Sequence, residues 1–140
     1  MLELSAATRA VAAETELRPA MAALQREARG LTRSQRATVV IIDWARQSAW
    51  TLEGSLALGE LRVIVTRVAS SGLRELFDHA LVAPVGNAPA RAVLALWRPS
   101  TYFEADDVAL VEALTGGVAA TLSRLLGDPG VPERPRAVAR

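Results

Sequence analysis

Apolar residues recur at helical spacing along two long stretches of the chain. Leu17, Met21, Leu24, Ala28 and Leu31 follow at steps of four, three, four and three. Val108, Val111, Leu114, Val118, Leu122 and Leu125 repeat that rhythm further on. Each set forms one stripe on a helix. Residues 2–29 are rich in Ala, Leu, Glu and Arg, all good helix formers. Pro19 predicts a break near 15–19, with Thr15 a cap for the second piece, and Gly30 predicts its end. Between the stripes lie shorter, β-branched runs. ATVVIID (37–43) reads as a strand apolar on both sides, through Val39 and Ile41 on one and Val40 and Ile42 on the other. SAWTLEG (48–54) reads as its return after a turn at WARQ, which brings Trp44 near Trp50 across the hairpin. GELRVIVTRVASSG (59–72) fits alternation at Leu61, Val63 and Val65, and helix at Leu61, Ile64, Val65 and Val68. Helix is preferred, because Arg62 and Arg67 then leave the stripe and Ser70-Ser71-Gly72 supplies a stop. ALVAPV (80–85) and RAVLALWR (91–98) are two further strands joined by the loop GNAPA. Pro84 belongs where no amide donor is needed.

The second stripe begins beside Glu104, Asp106 and Asp107. With Glu104 as N-cap, Asp107 is the third helical residue and reaches back to form a capping box, while Phe103 staples onto Val108. All three acids lie near the positive end of the helix dipole. Starting a helix explains them better than a metal or acid/base site does, since hard cations want several convergent oxygens. Gly116-Gly117 inside this helix costs about 1 kcal/mol per glycine relative to alanine. Close approach of another backbone, either the sheet or a second copy of the helix, would account for the pair; a kink is the alternative.

Composition narrows the chemistry. The 140 residues suffice for one domain, and 51% hydrophobic with 22% charged residues suits a packed core. Net charge is +1, so no global field draws the chain to nucleic acid or membrane. No apolar run reaches the roughly 18 residues of a membrane span. The N-terminus carries Glu3, Glu14 and Glu16 and lacks the basic region of a signal peptide, so a cytoplasmic protein is expected. The chain has no cysteine, no lysine and one histidine, His79. Thiolate nucleophiles, Schiff bases, a P-loop lysine and multi-His or Cys zinc sites are thereby removed, and a non-enzyme is expected. All sixteen basic residues are Arg, as a high-GC genome would encode. The last segment, DPGVPERPRAVAR (128–140), reads as a tail or linker without fixed structure.

The element order then resembles a GAF domain. The resemblance covers residues 15–127 and is carried by VAPV, by RAVLALWRP, and by Phe103, Glu104 and Asp107 opening the closing helix. It implies an α+β, GAF-like (profilin-like) fold: a central antiparallel sheet with the N- and C-terminal helices packed on one face. Residues 1–14 would be a helical extension. The resemblance further implies a signalling module that dimerises through those helices, with a small-molecule pocket on the other face. Bilin attachment would need a cysteine that this chain lacks, and the asparagine-lysine-phenylalanine-aspartate-glutamate motif of cyclic-nucleotide-regulated members is absent. Only about 25 residues separate the hairpin from ALVAPV, which leaves little chain to enclose a ligand.

Candidate ligand residues are Trp44, Trp50 and Trp97, which could stack on a planar ligand or plug the core. His79 is either an axial haem ligand or a hydrogen-bonded strand-end side chain. Arg91 and Arg98 flank the last strand and could meet an anion, though strand-end arginines are usually solvated. Arg26, Arg29, Arg33 and Arg36 form the most basic segment; without interleaved aromatics it predicts a solvated helix end and not a nucleic-acid surface. Helix and dimer packing falls to Leu17, Met21, Leu24, Val111, Leu114, Gly117, Val118, Leu122 and Leu125. The expected function is a non-catalytic signalling or regulatory module acting by dimerisation or protein contact, with no cofactor, a homodimeric state and a protein partner. One alternative is a sensor of a planar metabolite or haem on the open sheet face. The other is a roadblock/profilin-like partner of small GTPases.

Overall fold

Alternation along the central strands sends side chains to two separate cores, one on each face of a sheet. The computed structural model describes residues 2–57 and 59–127. The expected tail over 128–140 lies outside the described residues. Along the chain come α1 (Leu2–Ala12), α2 (Leu17–Thr32), β1 (Arg36–Asp43), β2 (Ser48–Thr51), β3 (Gly54–Ser55), α3 (Glu60–Ser71), β4 (Glu75–Leu76), β5 (Ala80–Val85), β6 (Ala92–Trp97) and α4 (Ala105–Leu126). The six strands form one sheet in the order β3-β2-β1-β6-β5-β4, antiparallel at every pairing. Register sets Val39 opposite Leu94 and Val40 opposite Val93.

On one face, Val39, Ile41, Leu81, Ala83, Leu94 and Leu96 pack with Met21 and Leu24 of α2 and with Val111, Leu114, Val118 and Leu122 of α4. On the other, Val40, Ile42, Val82 and Val93 meet Val65, Val68 and Ala69 of α3. The terminal helices therefore share one face, as the resemblance implied, and α3 covers the opposite one. Helix α1 packs against α2 and α4 and buries Ala7 and Val11.

α2 begins after Glu16, not Thr15, and no side chain caps it. It also runs past Gly30, because the Thr32 hydroxyl donates to the Ala28 carbonyl at 2.7 Å and meets the Ser34 hydroxyl at 2.6 Å in a buried pair. The helix ends instead on Arg33, at a left-handed φ of 55°. The capping box of α4 is formed, with the Glu104 amide donating to Asp107 Oδ2 at 2.8 Å. Phe103 and Val108 are buried in the same core. SAWTLEG is broken by a turn into β2 and β3, and β4 is an additional edge strand. Pro84 lies on β5 beyond Leu81 and Val82, the stretch that pairs with β4. Among the described residues, α4 is the helix long and apolar enough to cross a membrane, with a mean hydropathy of 1.3. Here its apolar stripe is spent on the sheet, and a core helix meets the same criterion.

Candidate functional site

Helix α3 sits on the sheet at its C-terminal half, and its apolar stripe runs off the core toward its start. Val65 and Val68 are buried and Ile64 is half-buried, while Leu61 is 41% exposed. Arg67 grips Glu75 with two hydrogen bonds and so ties α3 to the edge strand β4. That bond holds the Glu75 carboxyl below its usual range. Arg62 donates to the carbonyls of Leu56 and Gln47 and fixes the same helix to the β2–β3 side. Between α3, β4, the β4–β5 turn and the end of β6 an open groove of about 660 Å³ results. Leu61 and Ile64 form one wall, Phe77 the other, and Val82 and Trp97 the floor, while Leu76, paired with Leu81, turns to the opposite face of the sheet. Leu61, Phe77 and Trp97 are 41%, 39% and 44% exposed, an apolar cluster left uncovered among the described residues. Glu60 and Asp78 stand in the same lining.

His79 also lines the groove. Its Nδ1 lies 3.1 Å from the Arg98 carbonyl and 3.4 Å from that of Thr101. Carbonyls only accept, so Nδ1 carries the proton of the neutral ring and Nε2 keeps the lone pair. The ring packs on Tyr102 at 4.9 Å between centroids. Arg98 returns the contact through its amide, which donates to the His79 carbonyl at 2.9 Å.

The Arg98 side chain is 12% exposed, not solvated as its place at a strand end suggests. It donates to Asp107 Oδ2 at 2.7 Å, to the Thr32 carbonyl at 2.6 Å and to the Tyr102 carbonyl, and it lies over the Phe103 ring at 4.5 Å. One guanidinium thus joins the end of α2, the β6–α4 loop and the first turn of α4. Burial pushes the Asp107 carboxyl up, but the Arg98 hydrogen bond, the Glu104 amide and the Arg98 charge together bring it below the usual range.

Of the candidate ligand residues, the groove unites His79 and Trp97. Trp50 lies on the opposite face of the sheet, packed against the α2/α4 core with the Arg18 guanidinium 5.0 Å from its ring centroid. Trp44 shares the α3 face, but its Nε1 donates to the Ala90 carbonyl at 2.9 Å, near the far end of β6. Trp44 and Trp50 therefore do not meet across the hairpin. Arg91 donates to the carbonyls of Leu126 and Gly127, closing the C-terminal end of α4, where it also lines a cleft of about 360 Å³. Among the described residues, no three His, Asp or Glu side chains are grouped to hold a metal ion.

The helix-packing candidates are also placed. Met21, Leu24, Val111, Leu114, Val118 and Leu122 are buried in the chain's own core, and Leu17 and Leu125 are half-buried against it. At Gly117 the close neighbour within the chain is α1, not the sheet. A Cβ there would stand 3.1 Å from both Cγ2 and Oγ1 of Thr8 on α1, whereas a Cβ at Gly116 would meet nothing within 4 Å. The signals that sequence reasoning missed are the β4 edge and the Phe77–Asp78 turn, which show no periodicity to read.

No family model and no curated protein matches the chain. Solved structures do. The GAF domain of an Acinetobacter phosphoenolpyruvate-protein phosphotransferase superposes with a TM-score of 0.71 at 11% identity, covering 91% of this chain and 95% of that one. Residues 122 to 287 of a methyl-accepting chemotaxis protein give 0.73 at 10% identity, covering 90% and 99%. A far-red absorbing protein in its dark state with bound biliverdin IXα gives 0.69 at 8% identity, covering 89% and 99%.

Proposed function

We propose that this chain, which has the fold of a GAF domain, is a non-catalytic regulatory module that acts by contact with another protein. The observation that carries this reading is the groove on the α3 face. Small-molecule sites bury 70–90% or more of a ligand's surface. Here Leu61, Phe77 and Trp97 are each at least 39% exposed, and the groove stands open. An apolar surface of that kind is what a polypeptide partner covers. The test is a thermal-shift and tryptophan-fluorescence screen of the purified chain against cyclic nucleotides, tetrapyrroles and small metabolites, together with an absorbance spectrum. No shift and no chromophore are expected. A shift that is lost in Trp97→Ala would replace this reading.

The replacement would be a sensor of a planar ligand. What favours it is the His79 ring, whose Nδ1–H faces carbonyls so that Nε2 keeps a lone pair beside Trp97 and Phe77. Haem held by His79 would give a strong band near 400 nm, and its loss in His79→Ala would identify the ligand.

Self-association through the helical layer is part of the first reading. The inward row of α4 is committed to the core, so a second copy would use the outward row, Ala109, Ala113, Gly116 and Ala120. Light scattering should then report a dimer that Gly116→Leu dissociates without lowering the melting temperature. A mass unchanged by that substitution counts against self-association through α4.

A further inference from the structure

The groove on the α3 face is built from side chains, and that limits what can fill it. Its walls are Leu61 and Ile64 on a helix and Phe77 just past a sheet edge; its floor is Val82 and Trp97. The unused backbone donors and acceptors of β4 point along the plane of the sheet, not up into the groove. A segment lying in the groove finds no main-chain partners there, and a backbone covered without partners is heavily penalised. A helix, whose backbone is already hydrogen-bonded, meets that condition with every apolar side chain free to face the groove.

Charge narrows it further. The acids in the lining are Glu60, in the first turn of α3, and Asp78, in the turn between β4 and β5. Among the described residues neither forms a salt bridge. The nearby arginines are differently engaged. Arg67 is held by Glu75, and Arg36 lies over the Trp97 ring at 6.0 Å. A cationic flank on the occupant would meet two carboxylates.

We propose that the groove receives one amphipathic helix of a partner protein. Its apolar residues, at i, i+3 or i+4 and i+7, fill the space between Leu61, Phe77 and Trp97, and its flanking Lys or Arg residues face Glu60 and Asp78. This rests on the protein-contact reading above and names the class of partner.

The experiment uses the full chain and three labelled synthetic 18-residue peptides, read by fluorescence anisotropy. The first is a helix with one leucine stripe and a Lys/Arg polar face. The second has the same stripe and a Glu polar face. The third is the basic peptide interrupted by two prolines. The basic helix is expected to bind at least tenfold more tightly than either of the others. Glu60→Arg with Asp78→Arg should invert the preference between the basic and acidic helices. Leu61→Ser with Phe77→Ser should weaken binding at least tenfold at an unchanged melting temperature, since both side chains are exposed. Equal binding of the two helices, indifference to the charge reversal, or tighter binding of the proline-interrupted peptide overturns the proposal. If no peptide binds and the small-molecule screen is silent, the helix proposal falls while the protein-contact reading stands. A small-molecule shift lost in Trp97→Ala overturns both.

Discussion

Arg98 shows how one side chain can decide a local structure. Its guanidinium serves two backbone carbonyls and a carboxylate with little access to water. Removing Arg98 leaves the Asp107 carboxylate with the Glu104 amide but no cation, and frees the Thr32 and Tyr102 carbonyls, a loss of about 1–3 kcal/mol. Arg98→Met should lower unfolding stability by roughly that amount in urea titrations at neutral pH. The Asp107 carboxyl is held below its usual range, so its contribution is full above the ordinary aspartate value and is lost as pH falls through the depressed one. The gap between wild type and Arg98→Met should therefore shrink on acidification; a constant gap would assign the loss to packing on Phe103. None of this was legible at Arg98 itself, because Thr32 is 66 positions away. The capping box was legible, because Glu104 and Asp107 are three residues apart and the bond is local.

At the scale of elements, periodicity revealed what was long and missed what was short. The stripes of α2 and α4 and the β-branched run of β1 each repeat often enough to be read. β3 and β4 have two residues each and carry no period. The two tryptophans of the first hairpin illustrate a related limit. Trp50 pairs with Ile41 and shares its face, whereas Trp44 packs with Ile42 on the other. Register decides the face, and register is set by the turn between Asp43 and Ser48, not by separation along the chain. The glycine pair of α4 predicts the approach of another backbone, whereas the close neighbour at Gly117 is the Thr8 side chain of α1. Gly117→Leu should drive Thr8 outward and lower stability by about 1–3 kcal/mol. Gly116→Leu, pointing into open space, should be neutral or stabilising by up to about 1 kcal/mol through helix propensity. Thermal denaturation of the two variants distinguishes them, and equal effects would mean that α1 does not rest on α4.

For the whole molecule, the sheet divides two tasks. Among the described residues, one face is filled by α2, α4 and α1; the other is covered by one short helix with an apolar groove beside it. The absence of cysteine makes the first arrangement directly testable. An ideal Cβ at position 117 lies 3.7 Å from the Thr8 Cβ, within disulfide range. Thr8→Cys with Gly117→Cys should cross-link on oxidation within one chain and raise the melting temperature. A cross-linked dimer on a non-reducing gel would show instead that α1 is exchanged between copies. The order of elements and the helix-bearing face were legible in the sequence. The groove was not, because it arises where α3 outruns the core and meets an edge strand too short to notice.

The ties between His79 and Arg98 have one more result. The imidazole holds the Arg98 carbonyl, the Arg98 amide holds the His79 carbonyl, and the guanidinium grips the opening turn of α4. A guest that displaces the Phe77–His79 bend acts on the partner of the residue that holds the opening turn of α4. It must either break one of these bonds or tug the long helix on the far side of the sheet.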